Sequence, residues 1–406
     1  MSNTAKSRRT NASCPCCAIL PDDLFLPSAV SKNDDDKEEE DSSAAPATAS
    51  SDSLILTPQQ AHQALLREST ISSRLQIVDT HCHAHLERSS DNDEESGSEV
   101  EDSLEPAAAA ASISSAPYQY PQDDDAPRMQ LVSLTCAVEP TDWPMALEYA
   151  AQSPYRIPAI GIHPWYLSDY LYLPTGTESD HDNIGTGDSD TAESSQIVLQ
   201  PRYMQQLEAI LQEHPRAAVG EIGLCKMARW TRRFPDGKQA ALQIQRRVFQ
   251  QQLQLAATYQ RPVTIHCVNQ QGILLDVLKT QQASLPPAMA LHSFTGTAHH
   301  VQQLLKWEAS LSLDPAQSAP LLYFGFSHAV NYVMCTSIKS VRMGKAAVAA
   351  VPADRLLAES DVHDTADVLG GTVGAVAYLA WALDESVSVV AERTARNGLR
   401  FLSCLL

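Results

Sequence analysis

The stretch Asp79-Thr80-His81-Cys82-His83 sets two imidazoles two residues apart, directly after the apolar run Leu75-Gln76-Ile77-Val78. That run reads as a buried strand. Strand side chains alternate faces, so His81 and His83 project to one side and Cys82 to the other. Two neutral imidazoles at the C-terminal end of a strand form half of a metal site. One such pair is equally an ordinary pair of polar side chains. The balance is tipped downstream, where His163, Glu221, His266, His292 and Asp361 each stand at or just after the end of an apolar run. Imidazoles and carboxylates with open coordination positions suit Mn or Zn on ligand softness. Ions held so can activate water for hydrolysis.

The elements that must carry these residues recur regularly. After the first strand, further strands are expected over 130–138, 157–162, 217–222, 262–267, 288–291, 321–326 and 355–357. Helices are expected near 145–151, 203–213, 238–259, 272–279, 298–307, 365–382 and 385–402. Within 238–259, Ile244, Val248, Phe249, Leu253 and Ala256 make one apolar stripe. Thr57-Pro58 offers an N-cap and first-turn proline for a helix ahead of the first strand. Eight strands alternating with helices imply a parallel sheet with crossover helices. The expected fold is an α/β (β/α)8 TIM barrel of the metal-dependent hydrolase type, spanning residues 57–402. A doubly wound open sheet is the alternative. The barrel is preferred because its strand ends converge on one mouth, where active sites are built. An open sheet would spread the same polar residues along an edge.

Composition separates body from appendages. The chain of 406 residues carries a net charge of -20. Three polar blocks, 34–41, 91–125 and 178–193, hold -6, -11 and -6 of it, which leaves the remainder at about +3. Such blocks read as solvated segments rather than parts of a core. Residues 1–56 are therefore expected to be a disordered tail, and polar insertions are expected at about 88–127 and 171–198. The nine cysteines form no paired framework, which fits a reducing compartment and an intracellular, cytoplasmic or nuclear protein. Lys6, Arg8 and Arg9 in an acid-free N-terminus give only a faint organellar signal. No apolar run approaches the roughly 20 residues of a membrane span, so no membrane partner is expected.

The motifs, taken together, resemble a known family. His81-Cys82-His83, Gly161-Ile162-His163-Pro164, Gly220-Glu221-Ile222-Gly223-Leu224, Pro262-Val263-Thr264-Ile265-His266, Leu291-His292-Ser293-Phe294-Thr295-Gly296 and Glu359-Ser360-Asp361 occur in the order seen in TatD-type metal-dependent deoxyribonucleases. The helix from Gln245 through Phe249 and Gln252 to Ala256 is similar to that family's signature helix, and Asn397, Arg400 and Phe401 to its C-terminal end. Asp142-Trp143, Trp165 and Val268 resemble a fungal and protist branch, some of whose members are known mainly as binding partners. The resemblance implies a binuclear site with two divalent ions, Mg, Mn or Zn. By carry-over His81, His83 and Asp361 would hold one ion, His266 and His292 the other, and Glu221 would bridge them. Glu221 or Asp361 would take a proton from the attacking water.

Three departures from the family pattern stand near this set. Cys225-Lys226 replaces a common Asp, Val268-Asn269 an Arg that could grip phosphate, and Val362-His363-Asp364 a Pro-containing turn. His363 is expected to face solvent. Lys226, Arg229, Arg232 and Arg233, interleaved with Trp230 and Phe234, follow the Glu221 strand and suit a nucleic-acid backbone and a stacked base. His163, Lys226 and Arg229 are the expected substrate contacts. The acidic insertions would repel a long duplex, which favours single strands or chain ends. The expected function is thus a metal-dependent phosphodiesterase, a deoxyribonuclease acting as an exonuclease on DNA. The alternatives are a barrel hydrolase of small amides or esters, and a catalytically weak protein that binds protein partners through its acidic tails.

Overall fold

The computed structural model describes residues 56–68, 76–86, 130–172, 197–311, 321–335 and 337–406. The expected tail, all but its last residue Leu56, and the insertion at 88–127 lie outside these residues, as does most of the insertion at 171–198.

The described residues hold ten strands: β1 Gln76–Cys82, β2 Gln130–Cys136, β3 Arg156–Ile160, β4 Leu171–Tyr172, β5 Val198–Leu199, β6 Ala218–Cys225, β7 Val263–Val268, β8 Met289–Leu291, β9 Leu322–Ser327 and β10 Leu356–Glu359. The helices are α1 Pro58–Glu68, α2 Trp143–Ala151, α3 Pro201–Glu213, α4 Gly237–Thr258, α5 Gln271–Thr280, α6 Ala298–Ala309, α7 Ile338–Ala350, α8 Val368–Leu383 and α9 Val387–Phe401. Eight strands form one parallel sheet in the order β1-β2-β3-β6-β7-β8-β9-β10. Its two ends meet: Asp361 N–H donates to the His81 carbonyl at 3.0 Å, and His83 N–H to the Val362 carbonyl at 2.8 Å. The Asp79 carboxylate reinforces this seam, accepting from Ser360 N at 3.0 Å, Ser360 Oγ at 2.5 Å and His81 N at 3.0 Å. The sheet is the nearly closed barrel that the convergence of polar strand ends required.

The strands are buried on both faces, as parallel strands under crossover helices must be. Val78, Leu134, Ile157, Ala218, Ala290, Tyr323 and Leu357 form one apolar cluster, which Phe401 and Leu402 join from the end of the chain. Their strand neighbours Ile77, Val219, Met289, Leu291, Phe324 and Leu356 belong to a second, larger cluster with the helices. Ala290 precedes His292 by two residues, and Leu357 precedes Glu359 by two. The face that buries the first cluster therefore leads into the polar mouth.

Helix α4 ties strand ends with two buried amides. Gln245 accepts from Cys225 N at 2.9 Å and donates to its carbonyl at 3.2 Å, and Gln252 does the same at Ile162, at 2.8 and 3.2 Å. The indole of Trp143 donates to the Gly161 carbonyl at 2.9 Å, and Asp142 accepts from Val138 N at 2.9 Å. All four residues therefore brace the backbone that carries the site. Helix α8, with Thr365–Asp367 before it, is long and apolar enough to cross a membrane by length and composition, but most of it is buried within the barrel's helical layer.

Beyond shifts of one or two residues at strand ends, the elements differ from expectation in three places. Strand β6 runs three residues beyond 222, because Gly223 pairs with His266 and Cys225 with Val268. Helix α7 was not expected; Ser337 caps it, but its exposed Ile338 and Met343 and internal Gly344 blur the apolar stripe. The two ends of the second insertion are themselves ordered as an antiparallel pair, Tyr172 with Val198 and Leu171 with Leu199.

Candidate metal centre

Glu221 sits at the hub of the barrel mouth. Its Oε2 lies 3.4 Å from His81 Nε2 and 3.6 Å from His83 Nε2. Its Oε1 lies 3.0 Å from His266 Nδ1, 3.5 Å from His163 Nε2 and 3.9 Å from His292 Nε2. Asp361 faces it from the barrel seam, with Oδ1 3.8 Å from His83 Nε2 and Oδ2 3.5 Å from His292 Nε2. All seven side chains are buried. Three sets bring one ligand atom each within 4.8 Å of the others: His81, His83 and Asp361; His81, Glu221 and His292; and His163, Glu221 and His266. The first set matches the carried-over grouping. His292 faces Asp361 and stacks on His81, with ring centroids 3.5 Å apart, whereas its centroid is 6.5 Å from that of His266.

The partners of each imidazole decide which nitrogen is bare. His83 Nδ1 donates to the Cys136 carbonyl at 2.7 Å, so Nε2 carries a lone pair. Burial, with neighbouring His81, drives the His83 pKa well below the usual value, so the ring stays neutral. That lone pair lies near oxygens of two carboxylates, Glu221 Oε2 at 3.6 Å and Asp361 Oδ1 at 3.8 Å, so a cation could be shared among the three groups. Beside it, the His81 and His83 Nε2 atoms are only 3.2 Å apart. His266 Nε2 is buried and has no hydrogen-bond partner among the described residues. These features fit divalent cations, which bind bare nitrogens and carboxylates together.

Electrostatics agree. Burial acts to raise the Glu221 pKa, yet His163, His81, His292 and the His266 hydrogen bond hold it well below the carboxylate range. Burial acts to lower His292, but Asp361, Glu359 and Glu221 raise it to about 9. His266 is raised to about 10 against burial, by Cys225 and Glu221. Without a metal, Cys225 and Glu221 favour a proton on His266, and Asp361, Glu359 and Glu221 favour one on His292; bound divalent ions would supply that positive charge instead. Asp361 is raised, chiefly by burial and in part against the pull of His292 and His81.

His163 differs from the other four histidines. Trp165 N–H donates to its Nδ1 at 3.2 Å, which leaves the proton on Nε2. It therefore presents an N–H donor toward Glu221, the behaviour of a substrate contact rather than a ligand. Lys226 and Arg229 are exposed beyond the end of β6 and make no ion pair among the described residues. They stand outside the buried cluster. His363 does not face solvent as expected; it is half-buried and stacks over His83 with centroids 5.1 Å apart.

Glu359, in the motif Glu359-Ser360-Asp361, has a role that the sequence alone does not assign. Its Oε2 accepts from His292 Nδ1 at 3.1 Å and from Ser293 N at 2.8 Å, and so fixes the ring with Nε2 toward the hub. Such a carboxylate behind an imidazole sets the tautomer of a metal ligand. Gly325 makes room for it, since a Cβ there would lie 1.9 Å from Glu359 Oε1. Gly223 is likewise obligatory: at φ +153° a Cβ would lie 1.9 Å from the His266 carbonyl oxygen. Ser293 completes the support, donating to Asp361 Oδ2 at 3.2 Å. The signal for Glu359 was present, an acid ending an apolar strand.

A parallel eight-stranded barrel with imidazoles and carboxylates gathered at its C-terminal mouth defines a metal-dependent hydrolase of the TIM-barrel type. The chain belongs to the TatD-related DNase family, whose model matches residues 78–403. It is 26% identical over 286 residues to the Cut9-interacting protein scn1 of Schizosaccharomyces pombe, covering 58% of this chain and 80% of that one. It is 32% identical over 155 residues to the 3'-5' ssDNA/RNA exonuclease TatD of Edwardsiella piscicida, covering 38% of this chain and 49% of that one. The match to the human 3'-5' RNA nuclease TATDN2, 29% over 151 residues, spans 36% of this chain and 16% of the human protein. Among solved structures, the Escherichia coli TatD homolog YJJV aligns over 66% of this chain and 85% of its own, at 18% identity and a TM-score of 0.48.

Proposed function

We propose that the protein is a metal-dependent nuclease that hydrolyses phosphodiester bonds at the ends of single-stranded nucleic acid. The observation that carries this reading is Glu221, whose two oxygens face five imidazoles while Asp361 closes the same cluster. His81, His83 and Asp361 would hold one divalent ion, and His266 and His292 the second, with Glu221 shared. Bound there, two divalent ions supply Lewis acidity and neutralise the charge of a phosphodiester in displacement.

The chain's own groups divide the remaining work. Glu221, with its pKa held low, is a poor proton acceptor and serves as a fixed anion. Asp361, with its pKa raised, accepts the proton of the attacking water, and Ser293 keeps its Oδ2 in place. His163 Nε2–H donates toward a phosphoryl oxygen. Lys226 and Arg229 meet the backbone charge further along the strand. The names of the bacterial relatives, exonucleases on single-stranded DNA and RNA, support the same substrate class.

The test is digestion of single-stranded DNA labelled at one end or the other, with Mg, Mn or Zn against EDTA. Stepwise metal-dependent shortening is expected in wild type and not in Glu221→Gln. Intact strands under every metal, or turnover of small amides instead, would overturn the assignment. The name of the yeast relative supports a second reading, a protein-binding role; it predicts a partner that co-purifies and no metal-dependent turnover.

A further inference from the structure

Beside the centre, two loops are laced together through their tryptophans. Trp165, two residues after His163, donates its indole N–H to Cys225 Sγ at 3.1 Å. Trp230, on the loop that follows Cys225, donates its indole N–H back to the Pro164 carbonyl at 2.8 Å. Each ring is thus pinned by its polar edge to the opposite loop, and both remain only half-buried. Phe234 packs edge-to-face on Trp230, with centroids 5.7 Å apart. Between the loops lies a cleft of about 730 Å³, lined by Trp165, Trp230 and Phe234 and rimmed by Arg229 and Arg233. One acid, Asp169, also lines it, and Ser168 Oγ donates to that carboxylate at 2.9 Å. Neither arginine makes an ion pair among the described residues.

We propose that this cleft is a nucleobase-stacking subsite, which seats one base of a single strand while its phosphate lies at the metal centre. The inference rests on the nuclease reading and adds to it a specific reason for single-strand preference. Fixed aromatic faces suit any base, because every base has a π-face, and two guanidinium groups at the rim that make no ion pair among the described residues suit the flanking phosphates. A base in a duplex is already stacked and cannot enter the cleft without being unpaired. The cleft also accounts for Cys225: the thiol is the acceptor that orients Trp165, so this departure from the family pattern acts on the cleft through that ring.

The experiment is a titration of the full chain, in Mg, with a cleavage-resistant phosphorothioate pentathymidylate. Intrinsic tryptophan fluorescence reports binding, and a series of strands each carries one abasic residue. Stacking contributes ~1–3 kcal/mol per base, so removal of the seated base should raise Kd about tenfold at one position of the strand and little elsewhere. Trp230→Leu should weaken the full strand by a similar factor and erase the penalty at that position. Phe234→Leu, which leaves the tie to Pro164 intact, is the second variant should Trp230→Leu fail to fold. No binding, no position that stands out, or a penalty that persists in both variants overturns the cleft. Metal-dependent hydrolysis of bis(4-nitrophenyl) phosphate, which has no base, tests the nuclease reading separately. Hydrolysis without base-dependent binding refutes the cleft alone; base-dependent binding without hydrolysis refutes the nuclease reading alone.

Discussion

At the scale of single residues, charge and tautomer divide the labour. Glu221 belongs to two of the three sets of potential ligands and approaches His81 and His83 of the remaining one through Oε2. Glu221→Gln keeps the shape and removes the charge, so it isolates the electrostatic role. The expected outcome is a folded barrel that binds fewer than two ions per chain and has lost nearly all metal-dependent cleavage. Metal content by elemental analysis and an end-labelled digestion check it; two ions and most of the activity retained would defeat the binuclear assignment. Glu359→Gln probes a subtler effect, because an amide oxygen can still accept from His292 Nδ1 but no longer adds a negative charge behind the ring. Metal affinity should fall about 10- to 100-fold, read by competition with a chelating dye. An unchanged affinity would mean that Glu359 only fills the space above Gly325. Cys225→Asp should be tolerated, since a carboxylate can also accept the Trp165 indole N–H.

At the scale of elements, the seam between β1 and β10 positions three of the proposed metal ligands, because His81, His83 and Asp361 all sit on it. Asp79 holds that seam through three donors. Asp79→Ala leaves those buried donors unpaired and should cost about 3 kcal/mol in urea unfolding, whereas Asp79→Asn should cost much less. The pH dependence follows from its pKa, which burial raises from 3.8 to about 7 against the hydrogen bonds of Ser360 and His81. The folded state then binds the proton more tightly than the unfolded chain, so this residue's contribution to stability falls as pH rises from about 4 to about 7. Asn does not titrate, so in EDTA the Tm of Asp79→Asn should gain on wild type across that window; a gap that stays constant or narrows would contradict this. Asp79 also marks how far the sequence was legible. Short apolar runs and the polar residues at their ends marked the eight barrel strands and the cluster, because those signals are local. What Asp79, Glu359, Gln245 and Gln252 hold is set by contacts with segments far off in sequence, which no local pattern records. Helix α7 stayed hidden because it buries little, and the extension of β6 because Gly223 answers to His266 rather than to strand propensity.

At the scale of the whole molecule, the question is how a chain of net charge -20 approaches a polyanion. The barrel body is close to neutral, and its exposed arginines at 229 and 233 lie on the rim of the aromatic cleft. Tyr172 and Ile197, which flank the insertion carrying the acids of 178–193, line that same cleft. The acidic block is therefore tethered beside the place where a strand would enter, and its -6 would oppose association through a field that salt screens. Since Tyr172 pairs directly with Val198, the two ends of the insertion are neighbours, and a short Gly-Ser linker can replace 175–195 without moving either strand. The expected variant folds with an unchanged Tm and unchanged metal content. Its association with single-stranded DNA should be faster than wild type at 20 mM salt, by several-fold, and equal to it at 500 mM, where the Debye length is only a few ångströms. Stopped-flow fluorescence at the two salt concentrations measures this. A loss of stability would place 175–195 within the fold, and an effect that does not depend on salt would show that the insertion acts by shape rather than by charge.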